Sequence, residues 1–208
     1  MSVVDLTIPI CEEAVRSLHV GDTVHLSGVM VTGRDTAHKY MIETFIRSSV
    51  VPESERPVYE ALRRLLKEGV IYHCGPVVRQ RDDGGWEFVA AGPTTSIREE
   101  VYEPEVIEHF GLRGVIGKGG MGPNTLRACE DYGAAYFHAV GGAASLIAAA
   151  VKEVVAVHKK DAFGVPEAFW VIRVEDFPVV VTMDTHGRSI HDEVEVGSRA
   201  ALDRLIGN

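Results

Sequence analysis

Residues 169–172 (FWVI) and 178–181 (PVVV) are apolar at every position, in runs too short for a core helix. A strand with one wet face alternates polar and apolar side chains, so an unbroken apolar run fits a strand covered on both faces. Covering both faces takes further layers, and helical patterns are present to supply them. Residues 57–68 begin at Pro57, carry Val58, Leu62, Leu65 and Leu66 at helical spacing, and stop before Gly69; Pro favours the first turn of a helix and Gly its end. Residues 104–110 and 125–132 end in the same way at Gly111 and Gly133. Residues 143–157 (AASLIAAAVKEVVAV) are apolar around most of a helical circumference and predict one central buried helix.

Further strands are expected at 23–31, 70–74, 87–91, 114–116, 135–140, 168–174 and 179–183. Their alternation with helices predicts an α/β fold with a mixed sheet and flanking helices. With no internal repeat or Gly/Ser linker, a single domain over 1–208 is expected. At 208 residues and 46% apolar side chains, the chain can bury a core without disulfides.

Charge narrows the function. Twenty-one Lys and Arg against thirty Asp and Glu leave a net charge of −9, which repels nucleic-acid phosphates and anionic membranes. An anionic ligand therefore has to be attracted locally. No stretch is apolar for the ~20 residues a membrane helix needs, and Asp5, Glu12 and Glu13 fall where a secretory signal would be basic and then apolar, so a cytoplasmic protein is expected. Cys11, Cys74 and Cys129 form no CxxC pair. Three thiols could hold an iron–sulfur cluster with one open iron, but their spacing favours buried thiols.

Four turns follow expected strands: 33–38 (GRDTAH), 92–98 (GPTTSIR), 117–122 (GKGGMG) and 141–144 (GGAA). In open α/β sheets such turns at strand ends are where ligands bind. Arg34, Arg98 and Lys118 lie within them, and two guanidinium forks with one ammonium suit a small dicarboxylate. Asp35 is expected to orient Arg34 or to cap its turn. Among nine scattered histidines without paired metal-ligand spacing, only His38 sits in such a turn, as a supporting residue. The GKGG turn has a competing reading as the GxxG loop of an RNA-binding KH domain. Pro123 and the acidic balance oppose it, and Lys118 precedes the second glycine rather than following it as in a P-loop.

Taken in order, GDTVHLSGVMVTGRDTAH, AGPTTSIR, VIGKGGMG, YFHAVGGAAS and FWVIRVEDFPVVVTMDTHG closely resemble the β subunit, or C-terminal domain, of class I iron–sulfur fumarases and L(+)-tartrate dehydratases. The resemblance spans about residues 22–187. It implies a swivelling β/β/α domain forming half of a shared active site. The other half would be an α subunit carrying a [4Fe–4S] cluster, with an α2β2 assembly and no cluster ligand from this chain. It further implies that Arg34, Arg98 and Lys118 grip the substrate carboxylates and that Thr94 removes the C3 proton, with Thr95 as the adjacent alternative. The expected reaction is fumarate hydration to (S)-malate, with tartrate dehydration as the rival. The departures are SIREEVYEP after GPTT, which leaves any role for Glu99 in doubt, and the charged segment 40–80, which leaves Arg47 as a rival to Arg34.

Overall fold

The computed structural model describes residues 3–207. β1 (Val3–Ile8) leads through α1 (Glu12–Arg16) to β2 (Thr23–Thr32). Next come α2 (Asp35–Met41), a π-helical turn at Ile42–Ile46, α3 (Arg56–Leu66) and β3 (Val70–Tyr72). The hairpin β4 (Val77–Gln80) and β5 (Trp86–Ala90) precedes a 3-10 turn at Ser96–Val101 and α4 (Glu103–Phe110). β6 (Gly114–Gly117), α5 (Pro123–Tyr132), β7 (Ala135–His138) and α6 (Ala144–Ala150) follow. The chain then runs through β8 (Val151–His158), α7 (Lys160–Phe163), β9 (Phe169–Met183) and α8 (Ile190–Ile206).

Seven strands form a mixed sheet in the order β1-β2-β3-β6-β7-β9-β8, and a second pairing joins β2 to β9. The strands β2, β3, β6, β7 and β9 thus close into a ring in which the first four are parallel and β9 is antiparallel to both neighbours. Consecutive apolar residues divide between two cores, as the unbroken runs require. Val70, Tyr72, Trp170 and Ile172 enter one, while Ile71, Phe169 and Val171 enter the other. Helices α2 to α5 supply Met41, Leu62, Leu66, Ile107, Phe110 and Ala128 to the second core. Each fully buried large side chain is worth about 1.5–3 kcal/mol, so both faces contribute to holding the strands. At Gly28 the chain has φ +126°, and a Cβ there would lie 2.6 Å from the Ile8 carbonyl oxygen, so the bulge between Leu26 and Gly28 needs a glycine.

The structure departs from the sequence pattern in several places. The expected helix over 143–157 ends at Ala150, and β8 begins at Val151. The second half (VKEVVAVH) is β-branched, and pairing with β9 along Val151–His158 overrides its helical apolar pattern. The two strands expected at 168–174 and 179–183 are one, β9, which bends at Asp176 (φ +48°) where Ser27 Oγ accepts the Asp176 N–H. Strands β1 and β4 and helices α2 and α8 add to the expected set. Among the described residues, no helix is long and apolar enough to cross a membrane.

Candidate functional site

The parallel register sets where the strands end. Thr32 pairs with Tyr72, Tyr72 with Ile116, and Gly117 with His138, so four neighbouring strands finish at one edge. Gly33 N–H donates to the Tyr72 carbonyl and His73 N–H to that of Ile116, extending the row past the strands. The segment after β5 is laid along this edge. Thr94 N–H donates to the His73 carbonyl (2.6 Å), Lys118 N–H to that of Thr94 (3.2 Å), and Ser96 N–H to that of Lys118 (3.0 Å). Arg34, Thr94, Thr95, Arg98 and Lys118, far apart in sequence, therefore leave from three adjacent turns. Gly117 is essential to this fit, because a Cβ there would lie 1.8 Å from Ser96 Oγ.

Each cation has a different neighbour. Arg34 Nε lies 3.3 Å from Glu167 Oε1, and the other Glu167 oxygen accepts the Thr36 N–H. Arg98 reaches Asp35 with both nitrogens of its fork, Nε to Oδ1 at 3.3 Å and a terminal nitrogen to Oδ2 at 3.1 Å. Asp35 thus pairs directly with Arg98, and the Arg34 charge also acts on it. Lys118 lies beside Gly141, where a Cβ would sit 3.6 Å from the lysine Cδ. Thr95 and Arg98 are exposed, Thr94 and Lys118 partly so. Arg47 follows the π-helical turn and pairs with Glu105, while Arg34 stands at the end of β2.

Beneath this rim lies a polar cluster that sequence spacing concealed. His38, His73, Ser96, Glu99 and Glu103 are each fully buried. Glu103 Oε2 is 3.0 Å from His73 Nε2 and 2.9 Å from His38 Nε2. His73 Nδ1 lies 2.8 Å from Ser96 Oγ, which accepts the Tyr136 hydroxyl at 2.8 Å, and His38 Nδ1 lies 2.9 Å from the Arg34 carbonyl. His38, expected as a supporting residue, thus lies beneath the turn that carries Arg34. Its partners are scattered through the chain as His73, Ser96, Glu103 and Tyr136, and only the parallel register collects them. The three ligand-type atoms of His38, His73 and Glu103 are mutually close. Tetrahedral ligands at about 2.1 Å from a zinc ion stand about 3.4 Å apart, so contacts of 2.9–3.0 Å between nitrogen and oxygen fit direct pairing instead.

Glu99 shows why Asp35 stays ionised. Burial, and then the Asp35 carboxylate it faces, push the Glu99 carboxyl up to about 8, so at neutral pH it holds a proton. Two carboxyls in contact share one proton. The hydrogen bond from Glu99, then Arg98 and Arg34, holds Asp35 below its usual range.

The cysteines do not fit a cluster. Cys11 is exposed, Cys74 lies in one core and Cys129 in the other, on opposite faces of the sheet. Burial pushes the Cys74 thiol up to about 12 and raises that of Cys129, while cluster ligation takes thiolates. The GKGG turn leaves a strand, β6, rather than joining two helices as a KH loop does, and α5 begins only at Pro123.

The sequence profile of the family described as Fumarase C-terminus matches residues 1–194. A Geobacillus stearothermophilus protein provisionally named class I fumarate hydratase is 45% identical over 203 residues, 98% of this chain but 36% of that protein. This chain therefore spans about a third of that relative. The protein from Methanocaldococcus jannaschii provisionally named L(+)-tartrate dehydratase subunit beta is 40% identical over 93% of each chain. The Escherichia coli L(+)-tartrate dehydratase subunit beta is 41% identical over 187 residues, 89% of this chain and 85% of that one. The chain belongs to the Fumarase C-terminus family.

Proposed function

We propose that this chain supplies the carboxylate-binding half of an active site that eliminates water from a four-carbon hydroxydicarboxylate. The observation that carries this reading is the meeting of Arg34, Thr94, Arg98 and Lys118 at one open edge of parallel strands. Arg34 and Arg98 offer planar forks to the carboxylates and Lys118 a compact charge. Loss of the proton next to a carboxylate develops negative charge there, and cations already held in place stabilise that charge more than they stabilise bound substrate. Thr94, with its backbone fixed by His73, is the group proposed to take the C3 proton; Thr95 is its exposed neighbour. A threonine hydroxyl is a weak base, so the role depends on nearby positive charge favouring its ionised form.

The substrate hydroxyl is left to a partner. The separation of Cys11, Cys74 and Cys129 speaks against this chain ligating a [4Fe–4S] cluster, so the cluster is assigned to an α subunit, in a proposed α2β2 assembly. Fumarate hydratase is the favoured activity and L(+)-tartrate dehydratase the alternative; relatives carry both names. Anaerobic co-expression with the cluster-bearing subunit tests the reading. Turnover of (S)-malate or L(+)-tartrate by the complex, and by neither subunit alone, is expected, and the faster substrate assigns the activity. Turnover by this chain alone would refute the half-site.

A further inference from the structure

We propose that Glu103 is a positioning residue, whose buried carboxylate pairs with a doubly protonated His38 and accepts a hydrogen bond from a neutral His73. Through these two rings it fixes the turns that carry Arg34, Thr94 and Lys118. The proposal rests on the reading that those turns bind a dicarboxylate.

The protons follow from the partners. His38 Nδ1 faces the Arg34 carbonyl, which can only accept, so that nitrogen carries a proton. His38 Nε2 is 2.9 Å from a Glu103 oxygen, within ion-pair distance. Against a carboxylate this nitrogen must be protonated too, and the ring is an imidazolium. His73 differs. Ser96 Oγ already accepts the Tyr136 hydroxyl, so its own proton goes to His73 Nδ1 and the Nε2–H faces Glu103. Burial alone would raise the Glu103 carboxyl, but His38 and then His73 bring it down to about 2. Burial alone would lower His38, but Glu103 and the Arg34 carbonyl outweigh it and raise it. His73, dominated by burial, is lowered.

The rings act on the site through the backbone. His38 holds the Arg34 carbonyl with its ring and with its own N–H, both at 2.9 Å. The His73 carbonyl accepts the Thr94 N–H, its ring holds Ser96, and the Ser96 N–H holds the Lys118 carbonyl. Glu103, the first residue of α4, is where these links meet. Misplacement of a reacting group by 1 Å can cost about 10²-fold in rate, so this one carboxylate has leverage on all three turns.

The test compares the full chain with its Glu103→Gln variant, which keeps the volume and removes the charge. At mildly alkaline pH, where exposed histidines are neutral, ¹⁵N-histidine spectra of the wild-type chain should show one ring protonated at both nitrogens, lost in the variant. Amide exchange over 34–38, 94–98 and 117–120 should accelerate at least tenfold, with the remaining strands unchanged. In the complex, kcat should fall about 10²-fold. A neutral His38 in the wild-type chain overturns the proposal even if the variant does not fold. So does a folded variant with unchanged exchange and turnover. Should the spectra and exchange behave as expected while the wild-type complex turns over neither malate nor tartrate, the hydro-lyase reading fails and the lock stands.

Discussion

Replacing Glu99 with glutamine should change how stability depends on pH, and the size follows from its surroundings. The side chain is fully buried, and burial together with Asp35 raises its carboxyl to about 8 from an ordinary 4.5. Between those values the folded chain keeps a proton that the unfolded chain has released. The contribution of this group is therefore complete below 4.5 and lost progressively as pH rises through 8. A span of about 3.5 pH units at about 1.36 kcal/mol each sets a ceiling near 5 kcal/mol, which relaxation and water penetration lower to about 2–4 kcal/mol. Glutamine is neutral at every pH and can donate to Asp35 from its amide. Urea unfolding of both proteins at several pH values from 5.5 to 8.5 gives the difference directly. Staying above 5 avoids the acid side, where Glu103, lowered to about 2, loses its contribution as pH falls from 4.5. Because the range starts about one unit above 4.5, the variant should gain about 1–3 kcal/mol on the wild type as pH rises over it. A difference that does not vary with pH would refute the protonated, buried Glu99.

Two other outcomes follow from the packing. A thiol reagent applied to the folded chain should modify Cys11 quickly and leave Cys74 and Cys129 untouched until denaturant is added, because both are buried and Cys74 is raised to about 12; equal labelling rates would contradict their burial. Gly117→Ala places a carbon 1.8 Å from Ser96 Oγ, so it should cost about 1–3 kcal/mol and loosen the 94–98 turn, read by urea unfolding and by amide exchange there.

The strands could be read from sequence because burial on both faces leaves an unmistakable signal. FWVI fills both cores from consecutive positions, and nothing but a doubly covered strand does so in four residues. Helix ends at Gly111 and Gly133 were equally plain, since both residues adopt the left-handed conformation there. Residues 151–158 were not, because VKEVVAV fits a helical stripe as well as an edge strand, and only β9 decides between them. At the site, the loop cations were legible as charges among glycines. Their supporting cluster was not: Glu99, Ser96 and Glu103 belong to a segment that looks polar and exposed, and His73 to the end of a short strand. Nothing local marks them as buried; the alignment of Gly33, His73 and Gly117 at the ends of parallel strands buries them.

The most direct measurement is dicarboxylate turnover by the reconstituted complex carrying Lys118→Ala in this chain, with iron and sulfide counted in the same sample. The account predicts a loss of about 10²–10³ in kcat/KM, comparable to removing one transition-state donor, with cluster content and the unfolding midpoint of the chain unchanged. An undiminished rate, or a loss that tracks missing iron, would contradict it.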